Sequence, residues 1–170
     1  MRYIGSGAAC LVSVLPESPV PPDPEDLTYS LTLPAALSSP RIARAATRTV
    51  LTVYGLDDMT DAAVQTVAEL TACACRFAPG AELYVSLRYR DGTLRVTVFD
   101  SHPRHANPRL AAACDARRRA GLRVLACVVD VSGGDWGFGE GAGPGAGTRM
   151  WVTLPRRGMR NRVGAGHPDG

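Results

Sequence analysis

The chain has 170 residues and a mass of 18.0 kDa, enough for one domain with a proper core and too little for two. Hydrophobic residues make up 45% and charged residues 21%, and no apolar run approaches the length of a membrane span, so no membrane partner is expected. The net charge of +3 rests on 19 basic residues that are all arginine, a compositional bias without any Arg-aromatic cluster, so no nucleic-acid partner is expected either.

Residues 1–26 are expected to form a flexible, proline-rich N-terminal segment. Its second half, PESPVPPDPED, holds five prolines and four acids and cannot bury enough apolar area to offset chain ordering. Arg2 and the modestly apolar stretch 7–15 lack a clean cleavage site, and Cys10 precedes the apolar run instead of following it, so a cytoplasmic protein is expected. Residues 27–155 are assigned to the folded domain and residues 156–170, polar and glycine-rich, to a disordered tail.

Within the domain, Thr28–Leu33 alternates in the manner of a strand and stops at Pro34. Ser39-Pro40 reads as an N-cap followed by the first helical residue, and Ile42, Ala45, Ala46, Thr49, Val50 and Val53 then recur at helical spacing up to Gly55. A second helix starts among Asp57, Asp58, Thr60 and Asp61. Its core stripe is Val64, Val67, Ala68, Thr71, Ala74, Cys75 and Ala78, and its opposite stripe is Gln65, Glu69, Cys73 and Arg76. Leu83, Val85, Leu87 and Tyr89 alternate with polar residues, Asp91-Gly92 makes a tight turn, and Leu94, Val96 and Val98 alternate again, which predicts a hairpin. Two helical stretches follow, 108–118 and 122–129, with Arg117, Arg118 and Arg119 read as a solvated helix end. Strands over 133–138 and 149–154 flank a glycine-rich turn. Grouped strands with helices for one face call for an α+β two-layer sandwich, a mixed or antiparallel sheet covered on one side.

The five cysteines, Cys10, Cys73, Cys75, Cys114 and Cys127, are odd in number and include no CxxC pair. They read as small buried hydrophobes in a reducing compartment, and no metal site is expected from them.

Particular residues at the joints of this order resemble the Bergerat ATP-binding fold of histidine kinases, gyrase-type ATPases and anti-sigma-factor serine kinases. The segment from Val67 to Phe77 resembles the family's N-box, in which a Glu precedes an Asn by four residues on one helical face. By that resemblance Glu69 is the general base for the attacking hydroxyl. The Asn position is Cys73, whose thiol replaces the usual oxygen donor to Mg²⁺, so the resemblance implies ATP as ligand with Mg²⁺ lacking that donor. The segment Val96–Asp100 resembles the motif whose Asp accepts from the adenine amino group, which implies that role for Asp100. Ala120-Gly121-Leu122 stands where the family has its phosphate-wrapping glycine loop, implying a cofactor contact at Gly121 and Leu122. Gly145-Ala146-Gly147-Thr148 resembles the closing Gly-Thr, placing Gly147 and Thr148 at the rear of the adenine site.

The resemblance implies an ATP-binding regulatory protein that transfers the γ-phosphate to a Ser or Thr of a protein partner, a sigma factor or the antagonist of one, or that sequesters it. It also implies pairing into a homodimer. The alternative, motivated by Cys73 and the single lid glycine, is a catalytically degenerate, pseudokinase-like module that binds a protein partner and little or no nucleotide.

Overall fold

Alternation of side chains in a strand lets one face be apolar and the other polar, and the computed structural model, which describes residues 20–141 and 147–156, uses that alternation to build its inner layer. Leu83, Val85, Leu87 and Tyr89 of β2 (Glu82–Arg90) are buried, as are Leu94, Val96 and Val98 of β3 (Thr93–Asp100). The two strands are joined by Asp91-Gly92, both at positive φ (50° and 72°), the backbone that a two-residue hairpin needs to match strand twist. The other three strands are β1 (Thr28–Pro34), β4 (Asp135–Glu140) and β5 (Thr148–Pro155). The sheet runs β1-β2-β3-β5-β4, and every neighbouring pair is antiparallel.

Among the described residues four helices form the second layer: α1 (Ser39–Val53), α2 (Thr60–Phe77), α3 (Pro108–Gly121) and α4 (Arg123–Val131). Apolar bulk at the interface comes from Val67 and Leu70 of α2 and from Leu125 and Val129 of α4, which join the inward residues of β2, β3 and β5 in one core. The result is the expected α+β two-layer sandwich, with an antiparallel sheet. No helix among the described residues is long and apolar enough to cross a membrane.

Several local expectations are corrected. The buried face of α1 is Ala43, Thr47, Val50 and Leu51, whereas Ile42 and Val53 are about half exposed, so the helix is rotated from the apolar stripe read in the sequence. Small residues on the inner face let α1 lie close to α2, and that close approach outweighs the larger side chains outside. Ser39 lies inside the first turn of α1 and donates its hydroxyl to the Pro34 carbonyl, while Ser38 occupies the cap position with no side-chain bond. In α2, Cys73 is fully buried among the core residues and not on the polar stripe. Of the other cysteines, Cys75 and Cys114 are half-buried and Cys127 is exposed; Cys10 lies outside the described residues.

The two ends of the domain are fastened to one turn. Pro24–Asp26 form a 3-10 turn, and Glu25 accepts from the Asp91 and Gly92 amides at 3.0 and 3.5 Å, so the last residues of the proline-rich segment dock on the hairpin. Arg156, placed in the tail by its sequence, donates its amide to Gly92 O at 2.8 Å and its guanidinium to both Asp58 oxygens at 2.9 Å and to Gly55 O at 3.1 Å. Because this paired, forked contact is partly exposed, Arg156→Ala is expected to lower stability by about 1 kcal/mol in urea unfolding, with a smaller difference at high salt. A salt-independent difference of the same size would assign the effect to packing of the side-chain stem.

Candidate functional site

Asp100 is in phase with Val96 and Val98, so its side chain leaves β3 toward the helix layer and is only 4% exposed. A carboxylate there needs a partner, because an unpaired buried charge is strongly unfavourable. Arg118 of α3 supplies it: Nη1 lies 2.7 Å from Asp100 Oδ2, and Nη2 lies 3.5 Å from Oδ1. The guanidinium sits over the Phe77 ring with 3.9 Å between its carbon and the ring centroid, and Nη1 is 3.2 Å from Met150 Sδ. The reading of the arginine triplet as solvated is therefore corrected at its middle member. Arg117 and Arg119 are exposed, whereas Arg118 is 1% exposed and is the only buried residue of α3.

The loop after β3 is tied to the same carboxylate. Asp100 Oδ1 accepts from the His102 amide at 3.0 Å, and the His102 carbonyl accepts from Thr148 Oγ1 at 3.0 Å. Thr148 is opposite Asp100 in the β3–β5 register and is buried. At Gly147 the backbone passes so close to Asp100 that a Cβ would stand 1.8 Å from the Asp100 carbonyl oxygen, which no side chain can satisfy. Gly145 and Ala146 lie outside the described residues.

An open cavity of about 600 Å³ adjoins the ion pair. Buried Cys73 and half-buried Phe77 of α2 line it, with His102 from the loop and Cys114 and Gly121 from α3. Arg76 and Arg117 bring positive charge to it. Burial pushes the Cys73 thiol above its ordinary pKa, with the nearby Arg118 charge a smaller opposing effect, so it is a neutral thiol at pH 7. Burial likewise holds the His102 imidazole below its ordinary value, helped by Arg118. Arg104 pairs with Asp115 of α3, its Nη2 3.1 Å from Oδ2, and these bonds hold the Asp115 carboxyl below its ordinary value.

The residues expected to form a nucleotide site are only partly assembled. Cys73 and Gly121 share the cavity, whereas Asp100, Gly147 and Thr148 meet one another but are not among its lining residues. Glu69 is half-buried one helical turn before Cys73, accepts from Gln65 Nε2 at 2.9 Å, and is not among the cavity's lining residues. Gly121 ends α3 and faces Arg76, with 3.4 Å from a built Cβ to Arg76 Nη2, and Leu122 is a fully buried core residue between α3 and α4. Neither residue belongs to a loop of free amides that could wrap phosphates.

ATP with Mg²⁺ does not fit this arrangement. Asp100, expected to accept from adenine, is engaged by Arg118 and the His102 amide, and a protonated thiol is no ligand for a hard cation. Sequence reasoning missed Arg118, whose only signal was a place within a basic triplet, and the approach of His102, His105 and Cys114, which no cysteine-pair spacing announces. No protein-family model matches the chain, and the search of curated proteins finds no match.

Proposed function

We propose that this protein is a cytoplasmic regulatory binding module on an ATPase-like scaffold, in which Arg118 takes the place that the adenine amino group takes in anti-sigma-factor serine kinases. The buried Asp100–Arg118 pair carries the reading. A guanidinium is flat, donates N–H groups in its plane and stacks on an aromatic ring, so on Asp100 and Phe77 it satisfies the chemistry that a base would need. With the acceptor so engaged and a neutral thiol at Cys73, the module acts by binding a regulatory protein, a sigma factor or the antagonist of one, and not by phosphoryl transfer. Arg76 and Arg117 beside the open cavity suit an acidic group of that partner.

The cavity itself favours a second reading, an ATP-binding kinase of the same type in which Arg118 withdraws from Asp100 when nucleotide arrives. Calorimetric titration with ATP and ADP, each with and without Mg²⁺, separates the two. The binding-module reading expects no saturable heat at millimolar nucleotide from folded protein. Saturable, Mg²⁺-dependent binding would overturn it in favour of the kinase, and would direct attention to a phosphorylated partner and to Glu69 as its base.

A further inference from the structure

We propose that His102, His105 and Cys114 form a binding site for Zn²⁺ at the junction of the β3–α3 loop and α3. One ligand atom from each lies within 4.8 Å of the other two, and all three residues are half-buried. The spacing His-x₂-His-x₈-Cys supplies two imidazoles from a loop and a thiol from the helix that follows, a donor set suited to a borderline-soft ion.

Geometry distinguishes this group from a chance contact. Cys114 Sγ is 3.6 Å from His102 Nε2. A tetrahedral zinc with Zn–N of about 2.1 Å and Zn–S of about 2.3 Å sets its nitrogen and sulfur ligands about 3.6 Å apart. The His102 and His105 rings stand nearly perpendicular, at 80° with centroids 5.2 Å apart. A void of about 10 Å³ lies among the three side chains, room for about one small ion or water.

The first ligand is held in advance. Asp100 accepts from the His102 amide, Thr148 donates to its carbonyl, and the Phe77 ring meets its imidazole edge to face at 5.2 Å. Arg118 and Arg104 also border the void, but their charges are engaged by Asp100 and Asp115. On binding, the Cys114 thiol proton passes to solvent, and the thiolate lowers the charge of the bound ion to +1. The three protein ligands leave a fourth position for water or for an anionic or sulfur donor. A simple thiol–imidazole pair would use one histidine and give no role to His105.

Co²⁺ titration of the metal-free full-length protein tests the site. One equivalent is expected to give a thiolate-to-cobalt charge-transfer band in the near ultraviolet with visible bands of tetrahedral strength, both displaced by Zn²⁺. Cys114→Ser removes the charge-transfer band, and His105→Ala weakens Zn²⁺ binding by at least about tenfold in chelator competition. Cys10→Ser, Cys127→Ser and His167→Ala leave both unchanged. Survival of the band in Cys114→Ser, or its loss in those three variants, would overturn the assignment. X-ray absorption of the zinc-loaded wild type provides a reading that needs no variant: a first shell with nitrogen and one sulfur is expected, and a shell of nitrogen and oxygen alone would overturn it.

Discussion

Replacing Asp100 with alanine is expected to lower the unfolding free energy by about 3 kcal/mol, the lower end of the range for breaking a buried ion pair. The substitution leaves the Arg118 guanidinium in the interior beside Phe77, Met150 and the neutral Cys73 thiol, none of which balances its charge, and it leaves the His102 amide without its acceptor. Arg118 is the only buried residue of α3, so its release also loosens that helix. Hydrogen exchange should therefore show faster exchange across Pro108–Gly121 than in α2, alongside the lower urea midpoint. The double variant Asp100→Leu/Arg118→Met replaces both charges by apolar bulk and should recover most of the loss, because a buried pair is worth little against a well-packed apolar pair. A loss below about 1 kcal/mol with α3 still protected would show that Asp100 is not what holds α3.

The strands and their inward faces were legible in the sequence because a period of two is local: Val96, Val98 and Asp100 share a face whatever the rest of the chain does. The structure carries that phase further than the sequence reading did: β3 continues through Asp100 and β5 begins at Thr148, and both residues are buried. Helix faces were less legible. In α1 the first inner residues, Ala43 and Thr47, are too small to stand out against Ile42, and Val50 and Leu51 do not stand out against Val53, so only contact with α2 decides which side is covered. The covered face of α2, Cys73 included, is set by packing against β3 and α4, elements that follow it in the chain and that its own sequence does not reveal.

Arg118 illustrates the limit more sharply. Nothing within its own helix distinguishes it from Arg117 and Arg119, because the reason for its burial lies in Asp100 and Phe77, both brought to it by the sheet and by α2. The histidine and cysteine group is similar, since Cys114 reaches His102 only once α3 has folded back beside the loop. Chemistry carried by one element could be read in advance; chemistry assembled from several could not.

Arg118→Met should reveal whether the scaffold retains a latent nucleotide site. Methionine keeps an apolar stem near Phe77 and Met150 but removes every N–H donor, so Asp100 Oδ2 loses the guanidinium that now engages it. A ligand with an amino group on a flat ring would then meet the acceptor and the aromatic face that the guanidinium now uses. Adenosine or ADP affinity is expected to rise at least tenfold over the wild type, about 1.4 kcal/mol, in calorimetry without Mg²⁺. The gain should disappear in Arg118→Met/Asp100→Asn, whose amide can no longer offer two carboxylate oxygens. Cys73→Asn in the Arg118→Met background should make that affinity Mg²⁺-dependent, because it restores an amide oxygen for a hard cation beside the same cavity. If Arg118→Met folds normally and binds no better than the wild type, the guanidinium is a structural fastener for α3 and not a stand-in for a base. The adenine-like geometry at Asp100 would then be only a consequence of the fold.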